Sequence, residues 1–397
     1  MTEFPPPAEQ ELIARAYAIG ARARVQALET ERAGRTSDAL ATEMRDAGFY
    51  RVLQPKRFGG YEFGFNLFSQ IIRAVSSGDG SVGWTLMTGT SHQWLIALFP
   101  EQAQQDIWGD GKGNFAAGSY APSGRAEPAA GGFRLTGQWA FASGIDVADW
   151  ALLGAMIPQT EGPPKPGFML VPVSDYTIDH GSWHVAGLNG SGSKTIHVKD
   201  VFVPTHRTLL FEQASSGQAP GTQTNANSMY RIPFMACVPI CLVSPAIGMA
   251  EGAYGVFVEQ TRARTTRGAV AGGAKSMAEF PTVQIRVAEA SANIDAAICL
   301  LTRDIAEMTT TAAAGKIVDV AMRIRNRRDH AFCAKLATQA VDALFLAAGG
   351  RGLAMEQPLQ RFWRDIHAAG VHISLNWDAV GSMFGQFELG LPPAGQY

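Results

Sequence analysis

The sequence changes character twice along its length, and this division constrains the fold more than any single motif does. Residues 7 to about 110 have helical patterning. From about 112 to 210, strand-like runs at 133–142, 150–157, 167–173 and 195–203 are separated by glycine and proline. Helical patterning returns from about 230 to 385, where apolar residues recur every 3.6 positions over 281–308 and 316–346. Two long helices with apolar faces are expected to pack as an antiparallel bundle.

The sequence therefore predicts an α+β fold with three domains. A chain of 397 residues is long enough to bury a large core. The polar, small-residue stretch 211–227 is expected to be a loop or linker. The expected domains are an N-terminal helical domain (1–111), a central β domain (112–210) and a C-terminal helical domain (211–397).

Composition excludes several classes of function. A hydrophobic content of 46% with 17% charged residues indicates a globular protein, and the net charge of −2 argues against a nucleic-acid surface or a polybasic membrane patch. The apolar run 236–250 is interrupted by Pro239 and Pro245, so it is expected to be too short to span a bilayer. The four cysteines have no C-x-x-C spacing and MTEFPPPAEQE has no signal core, which favours a cytoplasmic protein.

Residues 131–150, GGFRLTGQWAFASGIDVADW, contain the most informative strand. Apolar residues alternate through Phe133, Leu135, Trp139 and Phe141, as in a half-buried strand, and the run stops at Ala142-Ser143-Gly144. Ser143 can therefore reach a ligand at the end of the strand. The simpler interpretation is a serine that ends a strand in a turn, so the remaining motifs have to decide between the two.

Common cofactor motifs are missing. The sequence has no G-x-G-x-x-G between a strand and a helix, so it has no nicotinamide-binding Rossmann unit. It has neither H-E-x-x-H nor G-x-S-x-G, and residues 187–195 only approximate a phosphate-binding loop. No metal site is expected, because the histidine pair His367 and His372 has no clustered carboxylate.

Four stretches resemble signatures of one superfamily. They are GGFRLTGQWAFASG, GLNGSGSKTIHVKDVFVP (187–204), FLAAGGRG (345–352) and RFWRDIHAAG (361–370). Together with the helical, β, helical order, they resemble the acyl-CoA dehydrogenase fold over nearly the whole chain. The resemblance implies an N-terminal helical domain, a central β-barrel or sandwich and a C-terminal antiparallel four-helix bundle, with subunits packed as a homotetramer.

The catalytic base decides between the branches of this superfamily. Acyl-CoA dehydrogenases need a carboxylate to remove a proton beside the thioester. Here Arg364-Asp365 is followed by His372-Ile373, with no acid before Asp378. Glu251 lies near the place where some dehydrogenases carry their base, which leaves an acyl-CoA dehydrogenase as the alternative function.

Other stretches resemble the flavin-dependent monooxygenases of this fold, the oxygenase components of two-component aromatic hydroxylases. These stretches are VGWTLMTGTSHQWLIALF (82–99), SYAPSG (119–124), the Ala142-Ser143-Gly144 turn and the late His372. The resemblance implies that a separate reductase supplies reduced FMN or FAD, and that O2 forms a flavin C4a-hydroperoxide. This adduct would hydroxylate a phenolic or indole-like molecule. Two further alternatives remain at this point. The same adduct could oxidise nitrogen or sulfur, or the chain could be a binding protein without catalysis.

The resemblance also assigns roles to individual residues. Ser143 is expected to bond flavin N5, with Trp84 and Phe141 as apolar walls. His92 is expected to be a substrate-binding base with a near-neutral pKa, because removing a phenol or indole proton enriches the ring. His372 is expected between flavin and substrate, and Ser119 at the substrate's polar end. Seen alone, each of these residues also fits an ordinary core or capping role.

The remaining cofactor contacts are less specific. Ser193, in the second β motif, is expected to contact the flavin. Arg231, Arg262 and Arg264 are candidates to pair with its phosphate, because the guanidinium group matches phosphate geometry. A solvated surface position explains each arginine equally well. The sequence decides neither between FMN and FAD nor the identity of the aromatic substrate.

Overall fold

The structure is a computed structural model that describes residues 6–265 and 275–397. The first region is helical. The second of its helices is capped by Ser37, whose hydroxyl oxygen accepts a hydrogen bond from the Leu40 amide. Asp79 caps the fourth helix in the same way, at 2.9 Å from the Val82 amide. Residues 49–60 contain two 3-10 turns, Phe49–Arg51 and Lys56–Phe58. The helices are α1 (Glu9–Ala33), α2 (Asp38–Asp46), α3 (Phe65–Ser76), α4 (Gly80–Ile96) and α5 (Glu101–Trp108).

The central region of the described chain forms one seven-stranded mixed sheet of order β5-β6-β2-β1-β3-β4-β7. Strand β1, which the sequence analysis missed, pairs in parallel with β3, and its register shifts between Ser119 and Gly124. Pro122 and a polar second half hide the alternation that normally marks a strand. The strands are β1 (Ala116–Ala129), β2 (Gly132–Ala142), β3 (Trp150–Ile157), β4 (Lys165–Pro172), β5 (Thr177–Asp179), β6 (Lys194–Pro204) and β7 (Thr208–Leu210).

The C-terminal region is helical again. Helices α8 and α9 pack along each other, α7 and α10 pack on α9, and α7 also packs on α3 and α4. The stretch 211–227 is partly helical, with α6 and a 3-10 turn at Pro220–Gln223. The helices are α6 (Phe211–Ser215), α7 (Phe234–Arg262), α8 (Pro281–Ala313), α9 (Val320–Ala348), α10 (Pro358–Gly370) and α11 (Trp377–Glu388).

Helix α7 corrects one expectation. Pro239 and Pro245 do not end it, and its 29 residues are long and apolar enough, by length and composition, to cross a membrane. Val320–Leu353 meets the same criteria. In α7, 83% of the apolar window is buried inside the protein, because α3, α4, α9 and α10 surround the helix. This packing compensates for the backbone hydrogen bonds that two prolines remove, and the helix is a core element.

Candidate active site

A cavity of about 1450 Å³ lies where α4, β1, the end of β2, α7 and the segment after α10 meet. Pockets for a single small molecule are usually about 300–1,000 Å³, so this one has room for a planar cofactor and a second ring. It brings together residues that are far apart in sequence. The sequence-predicted residues that line it are Trp84, His92, Ser119, Phe141, Ser143, Ser193 and His372.

The chain turns sharply after β2, and this turn presents Ser143 to the cavity. Phe141 has a positive φ of 62°, the Ser143 amide donates to its carbonyl at 2.9 Å, and Gly144 has a φ of 74°. A positive φ is unusual for a bulky residue, and such strain concentrates at functional sites. The Phe141 side chain is 69% exposed and meets Trp183 edge-on at 6.0 Å between ring centroids, so both rings lie at the rim of the cavity.

Ser143 belongs to a hydrogen-bonded group at one wall of the cavity. The Trp84 indole N–H donates to its Oγ at 3.1 Å, and its Oγ lies 2.7 Å from the Ser193 Oγ. Every residue of α4 is buried, which holds Trp84 in place. Helix α4, the turn after β2 and the segment just before β6 therefore fix one another through these three side chains.

His92 is a neutral hydrogen-bond acceptor toward the cavity. Its Nδ1 lies 2.8 Å from the Ala116 carbonyl oxygen, which can only accept, so Nδ1 carries the proton. Nε2 is then the ring nitrogen with a free lone pair. Burial lowers the pKa of His92 to about 4, although the backbone hydrogen bond opposes this shift. The expected near-neutral base is thus a weaker base than the sequence suggested.

His372 has the opposite polarity. Its Nδ1 accepts from the Ser374 amide at 3.2 Å, so the neutral ring carries its proton on Nε2. Burial lowers its pKa to about 4, and the nearby Arg327 charge lowers it further in the same direction. The imidazole lies 6.2 Å from the Trp84 ring, between centroids. His372 is therefore suited to donate a hydrogen bond beside the wall that carries Ser143.

An aromatic cluster that the sequence analysis missed surrounds the end of the cavity near His92. Tyr120 lies 5.4 Å from His92, and edge-on contacts of 5.2 and 5.4 Å join it to Phe168 and Phe234. Phe211 extends the cluster, 4.4 Å from Phe168. Tyr120 was within the recognised SYAPSG run, but Phe211 and Phe234 were in segments read as linker and helix start. Only folding brings these rings together.

Several sequence-predicted residues lie outside the cavity lining. Arg231 and Arg262 are exposed, and Arg264 donates to the Ala348 carbonyl at 2.7 Å. Within one chain, none of these arginines reaches the cavity, so the phosphate assignments stay predictions. Glu251 makes a two-pronged ion pair with Arg73, at 2.5 and 3.0 Å, on the α3–α7 contact. A carboxylate held there is not the base of a reaction in this cavity.

The polar and apolar groups of the cavity match those of a flavin ring. One wall offers the Ser143 oxygen and the His372 N–H, while the surrounding surface is largely apolar. An isoalloxazine ring has the matching features, an apolar dimethylbenzene end and a rim of alternating donors and acceptors. Among the described residues no group of three or more His, Cys, Asp or Glu is placed to hold a metal ion.

Two family models match this chain, the acyl-CoA dehydrogenase N-terminal domain over residues 7–110 and the acyl-CoA dehydrogenase C-terminal domain over 240–377. The chain is also 43% identical to the oxygenase component of an FADH2-dependent resorcinol hydroxylase from a Rhizobium species, over 100% of this chain and 99% of the relative. It belongs to the flavin-dependent monooxygenases of the acyl-CoA dehydrogenase fold. This family assignment confirms the sequence-based prediction.

Solved structures agree. The 3-HSA hydroxylase of Rhodococcus sp. RHA1 superimposes on the monooxygenase with a TM-score of 0.92 at 39% identity, covering 97% of this chain and 98% of the other. XiaF from a Streptomyces species, solved with FADH2 and glycerol, has a TM-score of 0.90 at 27% identity, covering 98% of this chain and 97% of the other. Butyryl-CoA dehydrogenase from Megasphaera elsdenii, at 18% identity and a TM-score of 0.78, shares the fold alone.

Proposed function

We propose that this monooxygenase hydroxylates a phenolic ring, using reduced FAD delivered by a separate reductase. The observation that carries the proposal is the fixed tautomer of His92. Its Nε2 accepts hydrogen bonds at the end of the cavity that Tyr120 and Phe234 line. A phenol has an O–H to donate and a ring that packs edge-on against those aromatic side chains. An indole N–H meets the same requirement, so indoles are the second substrate class to test.

The tautomer of His92 also defines its role in activating the ring. An acceptor on the phenol O–H polarises this bond and enriches the ring carbons, which favours attack by an electrophilic oxygen. Because the pKa of His92 is lowered to about 4, the imidazole shares the phenol proton without removing it completely. His92 therefore orients and polarises the substrate. Ser119, which also lines the cavity, is proposed to contact the substrate's second polar group.

The other wall is proposed to hold the flavin. When bound, the reduced flavin supplies the electrons that activate O2. Ser143 would face N5, Trp84 would pack beside the ring system, and His372 would donate from the segment after α10. The apolar side chains around them exclude water, which keeps the activated oxygen from being lost as hydrogen peroxide.

FAD is preferred over FMN in this proposal because of two relatives. The Rhizobium hydroxylase, 43% identical, is named as FADH2-dependent, and XiaF was solved with FADH2. Several relatives are named as oxygenase components or subunits, which supports a separate reductase. We further propose a cytoplasmic homotetramer. Exposed apolar side chains on α9 and just beyond the ends of α9 and α11, namely Leu346, Leu353 and Leu389, are the observation that favours subunit packing there.

The test combines the purified protein with a flavin reductase, NADH, O2 and either FAD or FMN. Resorcinol, p-hydroxyphenylacetate and indole-3-acetate serve as probes, and product and hydrogen peroxide are both quantified. We expect hydroxylated product from a phenol, a higher ratio of product to peroxide with FAD than with FMN, and no product without the reductase. Bleaching of bound FAD by an acyl-CoA thioester, with no hydroxylation of any probe, would contradict the proposal.

A further inference from the structure

A chain of three serine hydroxyls ends at Ser143, and its hydrogen bonds have only one possible direction. The Ser191 Oγ donates to the Leu188 carbonyl at 2.6 Å, because a carbonyl oxygen has no hydrogen to give. The Ser191 and Ser193 oxygens are 2.7 Å apart, as are the Ser193 and Ser143 oxygens. Each hydroxyl has a single hydrogen. Ser193 must therefore donate to Ser191, and Ser143 must donate to Ser193.

This direction leaves Ser143 with acceptor capacity only. Its hydrogen is used on Ser193, and one lone pair of its oxygen receives the Trp84 indole N–H at 3.1 Å. The remaining lone pair has no partner among the residues that the structure describes, and it belongs to an oxygen that lines the cavity. Ser143, Ser191 and Ser193 are 9%, 1% and 5% exposed, so bulk water has little access to reorient them.

The start of the chain of hydroxyls is held by the rest of the fold. Leu188 has a positive φ of 58°, and its amide donates to the Asp365 carboxylate on α10 at 2.6 Å. The neighbouring glycines pass close to other elements. A Cβ on Gly187 would lie 2.2 Å from the Arg364 carbonyl, and one on Gly190 would lie 2.4 Å from the Thr30 side chain. Because α1 and α10 fix this loop, the Leu188 carbonyl is a rigid anchor for Ser191.

We propose that Ser191 and Ser193 are positioning residues that make Ser143 an obligatory acceptor and so favour reduced over oxidised flavin at this site. The inference rests on the proposed placement of flavin N5 against Ser143. Reduced flavin carries a hydrogen on N5, which the free lone pair of Ser143 accepts. Oxidised flavin has only a lone pair on N5. To donate to it, Ser143 has to give up its bond to Ser193.

The test measures flavin affinity in both redox states. The wild type, Ser193→Ala and Ser191→Ala are titrated with oxidised FAD, and anaerobically with reduced FAD. Removing either serine frees a hydrogen, so Ser143 can turn its own hydroxyl toward oxidised flavin. We expect the ratio of the two dissociation constants, oxidised over reduced, to fall roughly two- to tenfold, the effect of one hydrogen bond. A tenfold fall lowers the midpoint potential of the bound flavin by about 30 mV.

Ser123→Ala is the matched control, because the exposed Ser123 hydroxyl donates to the Gln138 carbonyl on the same sheet. Its ratio should equal that of the wild type. Thermal melts identify a variant that has lost its fold. If one of Ser193→Ala and Ser191→Ala does not fold, the other still tests the inference. The inference is overturned if Ser193→Ala or Ser191→Ala folds, binds both oxidised and reduced FAD, and has an unchanged or increased ratio of the two dissociation constants. Wild-type protein that binds neither flavin overturns the proposed function, and with it this inference.

Discussion

The two walls of the cavity each carry a neutral histidine, buried at His92 and half-buried at His372, and the two histidines have opposite hydrogen-bonding polarity. His92 on α4 gives its Nδ1 proton to a backbone carbonyl, so Nε2 accepts. His372, after α10, receives a backbone N–H at Nδ1, so Nε2 donates. Burial lowers both pKa values to about 4. The difference teaches that the backbone partner, and not the residue type or its burial, decides what each histidine offers a ligand.

We call the wall that carries His372 and Ser143 the donor wall, and the wall that carries His92 the acceptor wall. The largest expected effect comes from removing the Ser143 oxygen. Ser143→Ala leaves the Trp84 indole N–H without its acceptor and removes the proposed partner of flavin N5. We expect hydrogen peroxide to form at least about ten times faster from reduced FAD and O2, on the scale of one lost stabilising donor or acceptor in a buried site. Stopped-flow mixing with peroxide detection measures this rate. Equal rates in Ser143→Ala and the Ser123→Ala control would remove the N5 role.

The next effect tests the acceptor wall. His92→Ala removes the Nε2 lone pair, and we expect product formation to slow by about tenfold while reduced FAD is still oxidised, so peroxide replaces product. The amide oxygen of a glutamine reaches nearly the same place as Nε2. We therefore expect His92→Gln to recover part of the lost product-to-peroxide ratio. Identical ratios in the two variants would show that the acceptor at Nε2 is unimportant.

Features set by local sequence were predictable from the sequence. The period of 281–308 and the glycine after Ser143 both act within a few neighbours, and the structure has the corresponding helix and turn. Strand β1 was missed because its pairing with β3 and β2 overrides a proline-containing, polar second half. Helix α7 passes through two prolines for a similar reason, since packing on several elements outweighs local propensity.

The sequence named residues that line one cavity, but it did not predict their electrostatics. Resemblance named His92, Ser143 and His372, and the structure places all three on one cavity. The expected near-neutral pKa of His92 was wrong, because it depends on burial and on the Ala116 carbonyl, 24 residues away. The direction of the Ser143 hydroxyl depends in the same way on Ser193, 50 residues away. Such properties follow only from three-dimensional contacts.

The pH dependence of hydroxylation distinguishes these histidines from ordinary exposed ones. An exposed histidine has a pKa near 6.5, whereas both cavity histidines stay neutral until the pH approaches about 4. Product formed in single turnovers is therefore expected to stay level from about pH 8 to about pH 6 and to fall only below about pH 5. The fall follows protonation, which removes the Nε2 acceptor of His92 and disrupts the Nδ1 acceptor of His372. A midpoint near 6.5 would show that the cavity is wetter than its burial indicates.

The smallest expected effect concerns Arg327, a buried arginine of α9 that acts on only one of the two histidines. It donates to the Ser374 carbonyl at 3.0 Å, and its positive charge helps to lower the pKa of His372. Arg327→Met removes that charge, so the pKa of His372 should rise by a fraction of a unit toward its usual value, and the acid limb of the product profile should move to higher pH with it. Arg327 does not contribute to the pKa of His92. The shift of the acid limb should therefore persist when Arg327→Met is combined with His92→Gln.

Arg328→Met is the matched control for this change. Arg328 follows on the same helix but pairs with Asp329, at 2.6 Å, and lies over the Phe384 ring. Its removal deletes a charge of the same sign from the bundle without deleting the bond to the Ser374 carbonyl. If Arg327→Met and Arg328→Met move the acid limb equally, then general loss of positive charge explains the shift. If only Arg327→Met moves it, the pKa of His372 is set in part from inside the bundle, whereas the pKa of His92 is set by burial and by its bond to the sheet.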